Sequence, residues 1–191
     1  MGGGSDSRIP SILKECLTDC NIVIRTYDFD PEIANRQIAE WKRETCPSLV
    51  VGESLGSIHA LALSDLPCIL VSPALNAPSY FGFLSFATLI PGISSYLDRR
   101  FKPKEGDRQT IHFCHSNMKK WPEFRRLALQ RDKSCIHAFF GLHDHYMKTG
   151  IVNVRTYERY FGNSYTLYDG THFMENEFIH SMLVPKIREM I

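Results

Sequence analysis

A serine flanked by glycines is the feature of this sequence that most directly suggests chemistry. The segment Gly52-Glu53-Ser54-Leu55-Gly56 follows an apolar run at residues 48–51. It leads into a helical pattern at residues 54–63. This is the strand-turn-helix setting of a nucleophile elbow, in which a strained turn projects a serine hydroxyl and glycines avoid collisions. The alternative is a Ser54 helix cap between two packing glycines.

A serine nucleophile needs a base and an orienting acid, and both follow later in the chain. Asp144 comes after the apolar run at residues 135–141, and His172 comes after the run at residues 164–168. Parallel α/β sheets place their ligands in loops at the carboxyl ends of strands, so these loops are expected to converge. Asp169, three residues before His172, is the second candidate acid and is otherwise interpreted as a turn residue.

Histidines also support an alternative, a metal-dependent hydrolase. His143 and His145 flank Asp144, and His112, Cys114 and His115 could add ligands. A zinc site needs three or four converging ligands, and the sequence supplies no second cluster of matching spacing, so no metal is predicted. The remaining histidines are interpreted as structural residues with hydrogen-bond partners: His59, His137 and His180.

Alternating strand and helix patterns predict the elements that must position these groups. Strands are expected at residues 21–27, 48–51, 67–71, 135–141 and 164–168, and helices at 8–19, 31–44, 54–63, 116–131, 150–161 and 175–191. Continuous apolar runs suit strands that are buried on both faces. The predicted fold class is α/β, a three-layer sandwich with a mostly parallel central sheet of about five to six strands.

An uncharged stretch extends from Leu66 to Leu97, and residues 80–93 within it are aromatic and apolar. Glycines, serines and a proline interrupt the stretch, whereas a membrane-spanning helix needs about 20 apolar residues. We therefore predict no stable membrane insertion. Two interpretations stay open: an apolar surface helix, or a small apolar cap at about 74–107 that shapes an acyl pocket.

Length and composition limit the function. The 191 residues fit one domain over 1–191, and a formal net charge of +1 argues against nucleic acid as a partner. The six cysteines include no CxxC motif, and no basic or apolar leader follows Met1, which together predict a cytoplasmic protein. The sequence does not predict an oligomeric state.

The sequence resembles the α/β-hydrolase superfamily, with the closest likeness to its small, compact bacterial serine esterases. Four motifs together carry the resemblance: GESLG at 52–56, the end of a strand in SPALN at 72–76, GLHD at 141–144 and DGTHF at 169–173. The resemblance implies Ser54 as nucleophile, His172 as general base and then acid, and Asp144 as the orienting acid. It also implies an acyl-enzyme intermediate, a small-molecule carboxylic ester or thioester as substrate, and no cofactor. A non-catalytic binding protein on the same fold is the remaining alternative.

The resemblance further implies an oxyanion hole formed by the backbone N–H groups of Leu55 and Gly4. In the family a central strand precedes the glycine loop, whereas only Met1 precedes Gly2-Gly3-Gly4-Ser5 here. The sheet is therefore expected to be short at its amino-terminal side. An internal start, a sheet that closes without this strand, and a glycine linker remnant are the open explanations.

Overall fold

A four-stranded parallel sheet forms the centre of the fold. The computed structural model describes residues 7–102, 106, 108–132 and 135–191. The strands are β1 (Val50–Glu53), β2 (Cys68–Val71), β3 (Ile136–Gly141) and β4 (Tyr165–Tyr168), in the order β1-β2-β3-β4 across the sheet. The helices are α1 (Arg8–Cys16), α2 (Pro31–Thr45), α3 (Gly56–Ala62), α4 (Ala77–Ala87), α5 (Ile93–Arg100), α6 (His115–Met118), α7 (Trp121–Ala128), α8 (His145–Lys148), α9 (Val154–Phe161), α10 (Asn176–Phe178) and α11 (Val184–Met190).

Both faces of the sheet are covered, so each strand contributes to two cores. In β2, Cys68 and Leu70 face the larger core, which includes Phe81, whereas Ile69 and Val71 face the second. The larger core contains residues of α3, α4, α7 and α9, and the second contains residues of α1 and α11. Alternate residues of a strand point to opposite faces, so a strand covered on both sides must be apolar throughout. The prediction of an α/β fold with a parallel sheet is confirmed.

The predicted strand at residues 21–27 is wrong, and the described sheet has four strands instead of five or six. The segment alternates between more and less exposed residues, as an extended chain does. Its β-branched composition favours extension, but a strand is completed only by hydrogen bonds to a neighbour. No strand of the described residues pairs with it.

Prolines explain two further differences. The helix predicted at residues 116–131 is two helices, α6 and α7, and Pro122 lies at the start of the second. The helix predicted at residues 175–191 contains a π-helical turn, Ile179–Leu183, before α11. Pro185 follows this turn and has no N–H for a regular helical bond. Both departures interrupt a predicted helix and leave the sheet unchanged.

The uncharged stretch contains β2, α4 and the first part of α5, and its aromatic part at residues 80–93 lies mainly in α4 and the turn that follows it. None of the helices in the described ranges has both the length and the apolar character needed to cross a membrane.

Candidate active site

Ser54 occupies a strained turn between β1 and α3. Its φ is 52°, in the left-handed region that a residue with a side chain rarely adopts. The backbone is held on both sides, because Ser54 N–H donates to Val71 O (2.9 Å) and Ser54 O accepts from Ala74 N–H (3.1 Å). Such strain persists only where the surroundings fix it, and here the neighbouring strand and its following loop do so.

Gly52 is required by the close approach of strand and helix at this turn. A Cβ at position 52 would lie 2.8 Å from both the Cβ of Ala60 and the Cα of Ser57. At position 56 a Cβ would lie 3.2 Å from the hydroxyl of Tyr27, a tighter than usual contact with a side chain. The glycines therefore play the spatial role that the pattern predicts, most strictly at Gly52.

His172 brings its imidazole to the serine. The Nε2 atom of His172 lies 2.9 Å from Ser54 Oγ, and the Nδ1 atom lies 2.8 Å from Asp144 Oδ2. With Asp144 ionised, Nδ1 carries the proton and donates a hydrogen bond to the carboxylate. Nε2 is then free to accept the hydroxyl proton of Ser54.

Asp144 is held by its own helix. It caps the amino end of α8, where its Oδ1 accepts from Tyr146 N–H at 2.8 Å, leaving Oδ2 for His172. Both Asp144 and His172 are buried. Asp169, the second candidate acid, contacts His143 at 2.7 Å on the surface instead of His172. The structure therefore brings together Ser54, His172 and Asp144.

Two loops lock the acid and the histidine together. His143 N–H donates to Gly170 O (2.9 Å), and Leu142 N–H donates to Tyr168 O (2.9 Å). Thr171 N–H donates to Glu175 Oε1 at 3.0 Å. Burial raises the pKa of the Glu175 carboxyl, but the hydrogen bonds from Thr171 outweigh burial and leave this pKa below its ordinary value. An ionised Glu175 thus fixes the turn that carries His172.

Several side chains around the imidazole were not predicted from the sequence to lie beside His172. The rings of Tyr146 and Phe173 lie 4.6 Å and 5.1 Å from that of His172, and the His145 ring lies 5.9 Å away. Arg8 of α1 donates to the carbonyl oxygens of Phe173 and Met174 and holds the same loop from outside. Tyr146 and Phe173 are close to Asp144 and His172 in the sequence, which could have suggested that their rings lie near the site. Nothing in the sequence indicates Arg8, which is distant along the chain.

Glu53 places a carboxyl group directly before the nucleophile. Burial raises the pKa of this carboxyl above its ordinary value, and the nearby charges of His172 and Arg8 offset only part of the rise. The site therefore favours the neutral form of Glu53 more than water does.

The first predicted oxyanion donor, Leu55 N–H, follows Ser54 at the amino end of α3. No acceptor for this N–H is found among the residues that the structure describes. The group is thus available beside the nucleophile, as an oxyanion donor must be. The second predicted donor, Gly4, lies outside the described residues.

The metal alternative gains no support from the arrangement of side chains. His143 pairs with Asp169, and His112 pairs with Asp98 at 2.7 Å. Over the described ranges, no three side chains of histidine, cysteine, aspartate or glutamate converge on one point. His145 contributes an aromatic contact to the site instead.

The aromatic segment at residues 80–93 lies largely on the outer surface. Phe81 is buried in the larger core, whereas Tyr80, Phe83 and Phe86 are exposed. The cap at about 74–107 and its acyl pocket stay predictions.

Comparison with known proteins gives structural but no sequence matches. The sequence matches no protein-family model and no curated protein. The structure is similar to the crystal structure of a monoacylglycerol lipase from Paleococcus ferrophilus, with a TM-score of 0.53 and 13% identity over 87% of this chain and 78% of that one. It is also similar to a structure from work on LipS and LipT, two metagenome-derived lipolytic enzymes, with a TM-score of 0.51 and 15% identity over 83% of this chain and 74% of that one. These likenesses confirm the predicted α/β-hydrolase fold, and at such identities they show the fold alone.

Proposed function

We propose that this chain, which has the α/β-hydrolase fold, is a serine hydrolase that cleaves a carboxylic ester or thioester. The observation that carries the proposal is the continuous hydrogen-bonded chain from Ser54 through His172 to Asp144. Two of its structural neighbours bear the names of lipolytic enzymes, which favours an ester as the substrate. We further propose a single domain over 1–191, a small cap at about 74–107 and a cytoplasmic location.

The proposed reaction follows from the geometry of the three side chains. His172 Nε2 takes the hydroxyl proton as Ser54 Oγ forms a bond to the carbonyl carbon. The carbonyl oxygen becomes negative and accepts a hydrogen bond from Leu55 N–H. Collapse of this intermediate breaks the bond to the alcohol or thiol, which leaves with the proton from His172. Water then repeats these steps on the acyl-enzyme, while Asp144 stabilises the imidazolium.

A test of this proposal compares the full chain with Ser54→Ala on p-nitrophenyl acetate and on an acyl thioester. Loss of a triad nucleophile removes turnover by about a millionfold, so we expect only background rates in the variant. Ser79→Ala, which changes an exposed serine of α4, should retain full activity. Full activity in Ser54→Ala, abolished by a chelator, would favour the metal-dependent alternative. A wild-type protein without activity would favour a binding role.

A further inference from the structure

Part of the uncharged stretch forms an exposed apolar face. This face consists of Phe83, Phe86, Leu89, Ile90 and Tyr96, whose exposed fractions are 82%, 68%, 63%, 59% and 57%. The spacing of residues 83, 86 and 90 places them on one side of α4 and its turn. Soluble proteins rarely expose so many large apolar side chains together, so a patch of this kind marks an interaction site.

The opposite side of α4 already serves the core, so the exposed side is not needed for folding. Phe81 and Ser85 are buried, and Phe81 packs against Trp121 with ring centroids 5.7 Å apart. A Cβ at Gly82 would lie 2.5 Å from Pro122 Cγ, which shows how closely α4 approaches the start of α7. The helix is therefore fixed in place, and its exposed face is rigidly presented to solvent.

Positive charge follows Tyr96 of the exposed apolar face at helical spacings of three and four residues, which places it on the same side of α5. Arg99 and Arg100 end α5, and Lys102 follows; all three are exposed. Within the described part of the chain, none of the three forms an ion pair. Arg99 and Lys102 also line an open cavity of about 450 Å³. Arg99 Nε donates to Ser95 O (3.3 Å) and the Arg100 guanidinium lies 5.7 Å from the Phe101 ring, but all three cations stay exposed to an external anion.

The one carboxylate of α5, Asp98, is hydrogen-bonded within the protein. Asp98 accepts from Phe113 N–H (2.8 Å) through one oxygen, and its other oxygen lies 2.7 Å from His112 Nδ1. Asp98 also lines the cavity that Arg99 and Lys102 line, so it offsets part of their charge. Three cations against one carboxylate leave residues 98–102 with a net charge of +2.

We propose that the exposed apolar face docks reversibly on the surface of an anionic lipid bilayer. Aromatic and aliphatic side chains enter the boundary between headgroups and acyl chains, while neighbouring arginine and lysine side chains meet anionic headgroups. A second copy of this chain fits the face less well. A two-fold contact through the same surface would bring the cations of both copies together.

Docking would also place the candidate site near the lipid. The loop that leads from β2 into α4 contacts the nucleophile turn through Ala74 N–H and Ser54 O. Tyr80 of α4 donates its hydroxyl proton to Thr149 O (2.7 Å), just after α8. The face therefore begins at the edge of the sheet that carries Ser54 and Asp144. Docking itself does not depend on catalysis.

Sedimentation with sucrose-loaded vesicles tests the proposal. The Ser54→Ala chain is used throughout, so that no lipid is consumed and the result is independent of the proposed function. We expect binding to phosphatidylcholine vesicles that contain phosphatidylglycerol, and weaker binding to pure phosphatidylcholine. Adding Phe83→Ser and Phe86→Ser should weaken binding to both kinds of vesicle by about 100-fold. Each phenylalanine that is buried in the bilayer raises the affinity by about tenfold.

Two further variants test the contribution of the arginines and the location of the docking surface. Arg99→Gln with Arg100→Gln should weaken binding to the anionic vesicles by about thirtyfold and leave binding to neutral vesicles unchanged. Ile191→Ser removes a side chain that is 57% exposed at the end of α11, a helix that packs on the other face of the sheet, and should bind like the parent. Circular dichroism confirms that each variant is folded.

Two results would overturn the proposal. One is a parent protein that stays in the supernatant with anionic vesicles, or that binds equally well after the phenylalanine changes. The other is a dimer in sedimentation velocity that Phe83→Ser dissociates, without any binding to vesicles. That result would assign the face to a second copy of the chain.

Discussion

The Nε2 atom of His172 lies 2.9 Å from the hydroxyl oxygen of Ser54, although 118 residues separate the two in the chain. Ser54 follows β1 and His172 follows β4, the strands at opposite edges of the described sheet. Strands lie about 4.8 Å apart, so the histidine loop must reach back over roughly 14 Å, across β3 and β2. The proposed chemistry depends on this crossing.

Gly141 at the end of β3 makes room for the crossing loop. A Cβ there would lie 2.3 Å from Thr171 O and 2.5 Å from Gly170 O. We predict that Gly141→Ala displaces the loop, destabilises the protein by about 1–3 kcal/mol, and lowers kcat about 100-fold, as expected for a displacement of 1 Å. Thermal unfolding and steady-state kinetics measure both effects.

Gly162→Ala is the matched control for Gly141→Ala. Gly162 has a φ of 72° and a ψ of −151°, a region that is essentially restricted to glycine, and a Cβ there would meet no atom within 4 Å. Backbone strain of about 1–3 kcal/mol is therefore expected, without a clash with the histidine loop. Its activity should match that of the wild type. If both variants kept wild-type kcat, the tight contact would not position His172.

The choice between two aspartates gives the next prediction. Asp144→Asn keeps the shape of the acid but favours the wrong tautomer of His172, so kcat should fall roughly 10,000-fold. Asp169→Asn should leave kcat nearly unchanged, because Asp169 contacts the exposed His143. Equal losses in the two variants would contradict the assignment. Rates on p-nitrophenyl acetate are the measurement.

Local sequence patterns predicted the parts of the site that depend on short-range geometry. The elbow around Ser54 and the loops after two strands can be recognised because each is a turn of a few residues with its own glycine or helix cap. The contacts of Arg8 with the histidine loop, and of Gly141 with Thr171, join segments that only the fold brings together. Such pairs leave no periodic signal in a single sequence.

The strand predicted at residues 21–27 failed for a related reason. Local composition gives the preference for an extended chain, but pairing is decided by whether a neighbouring strand lies alongside. The sequence left open whether the apolar stretch is a surface helix or a cap, and it did not indicate that Phe83 and Phe86 are the exposed side chains. An apolar helix pattern predicts burial unless the number of covering elements is known.

His59 departs from its interpretation as a hydrogen-bonded structural histidine. It is buried between the rings of Tyr27, Trp121 and Phe124, and within the described ranges neither ring nitrogen has a hydrogen-bond partner. Burial lowers the pKa of His59 to about 3. A buried polar group without a partner reduces stability.

The stability of the protein should therefore fall as the pH falls below the pKa of His59 in the unfolded chain. That pKa is about 6.5, so between about pH 6.5 and pH 3 the unfolded state binds one more proton at His59 than the folded state. Each pH unit in this window lowers the free energy of unfolding by about 1.4 kcal/mol. His59→Phe should remove this part of the slope and be at least as stable at neutral pH. Urea unfolding at about pH 7 and about pH 5 measures both.

Phe124→Leu provides the control, since it disturbs the same aromatic cluster without removing a titrating group. It should lower stability at both pH values and retain the wild-type difference between them. If the free energy of unfolding of His59→Phe fell with pH as steeply as that of the wild type, other groups would cause the acid sensitivity.

Labelling with a fluorophosphonate most directly tests the central claim, that His172 activates Ser54 as a nucleophile. The reagent reacts with an activated serine hydroxyl and forms a stable phosphonyl ester. We predict that one phosphonyl group attaches to the wild-type protein, that mass spectrometry of the digested protein places it on Ser54, and that His172→Ala reacts far more slowly. A folded wild-type protein that stays unlabelled, or one labelled equally well in Ser54→Ala, would contradict the account.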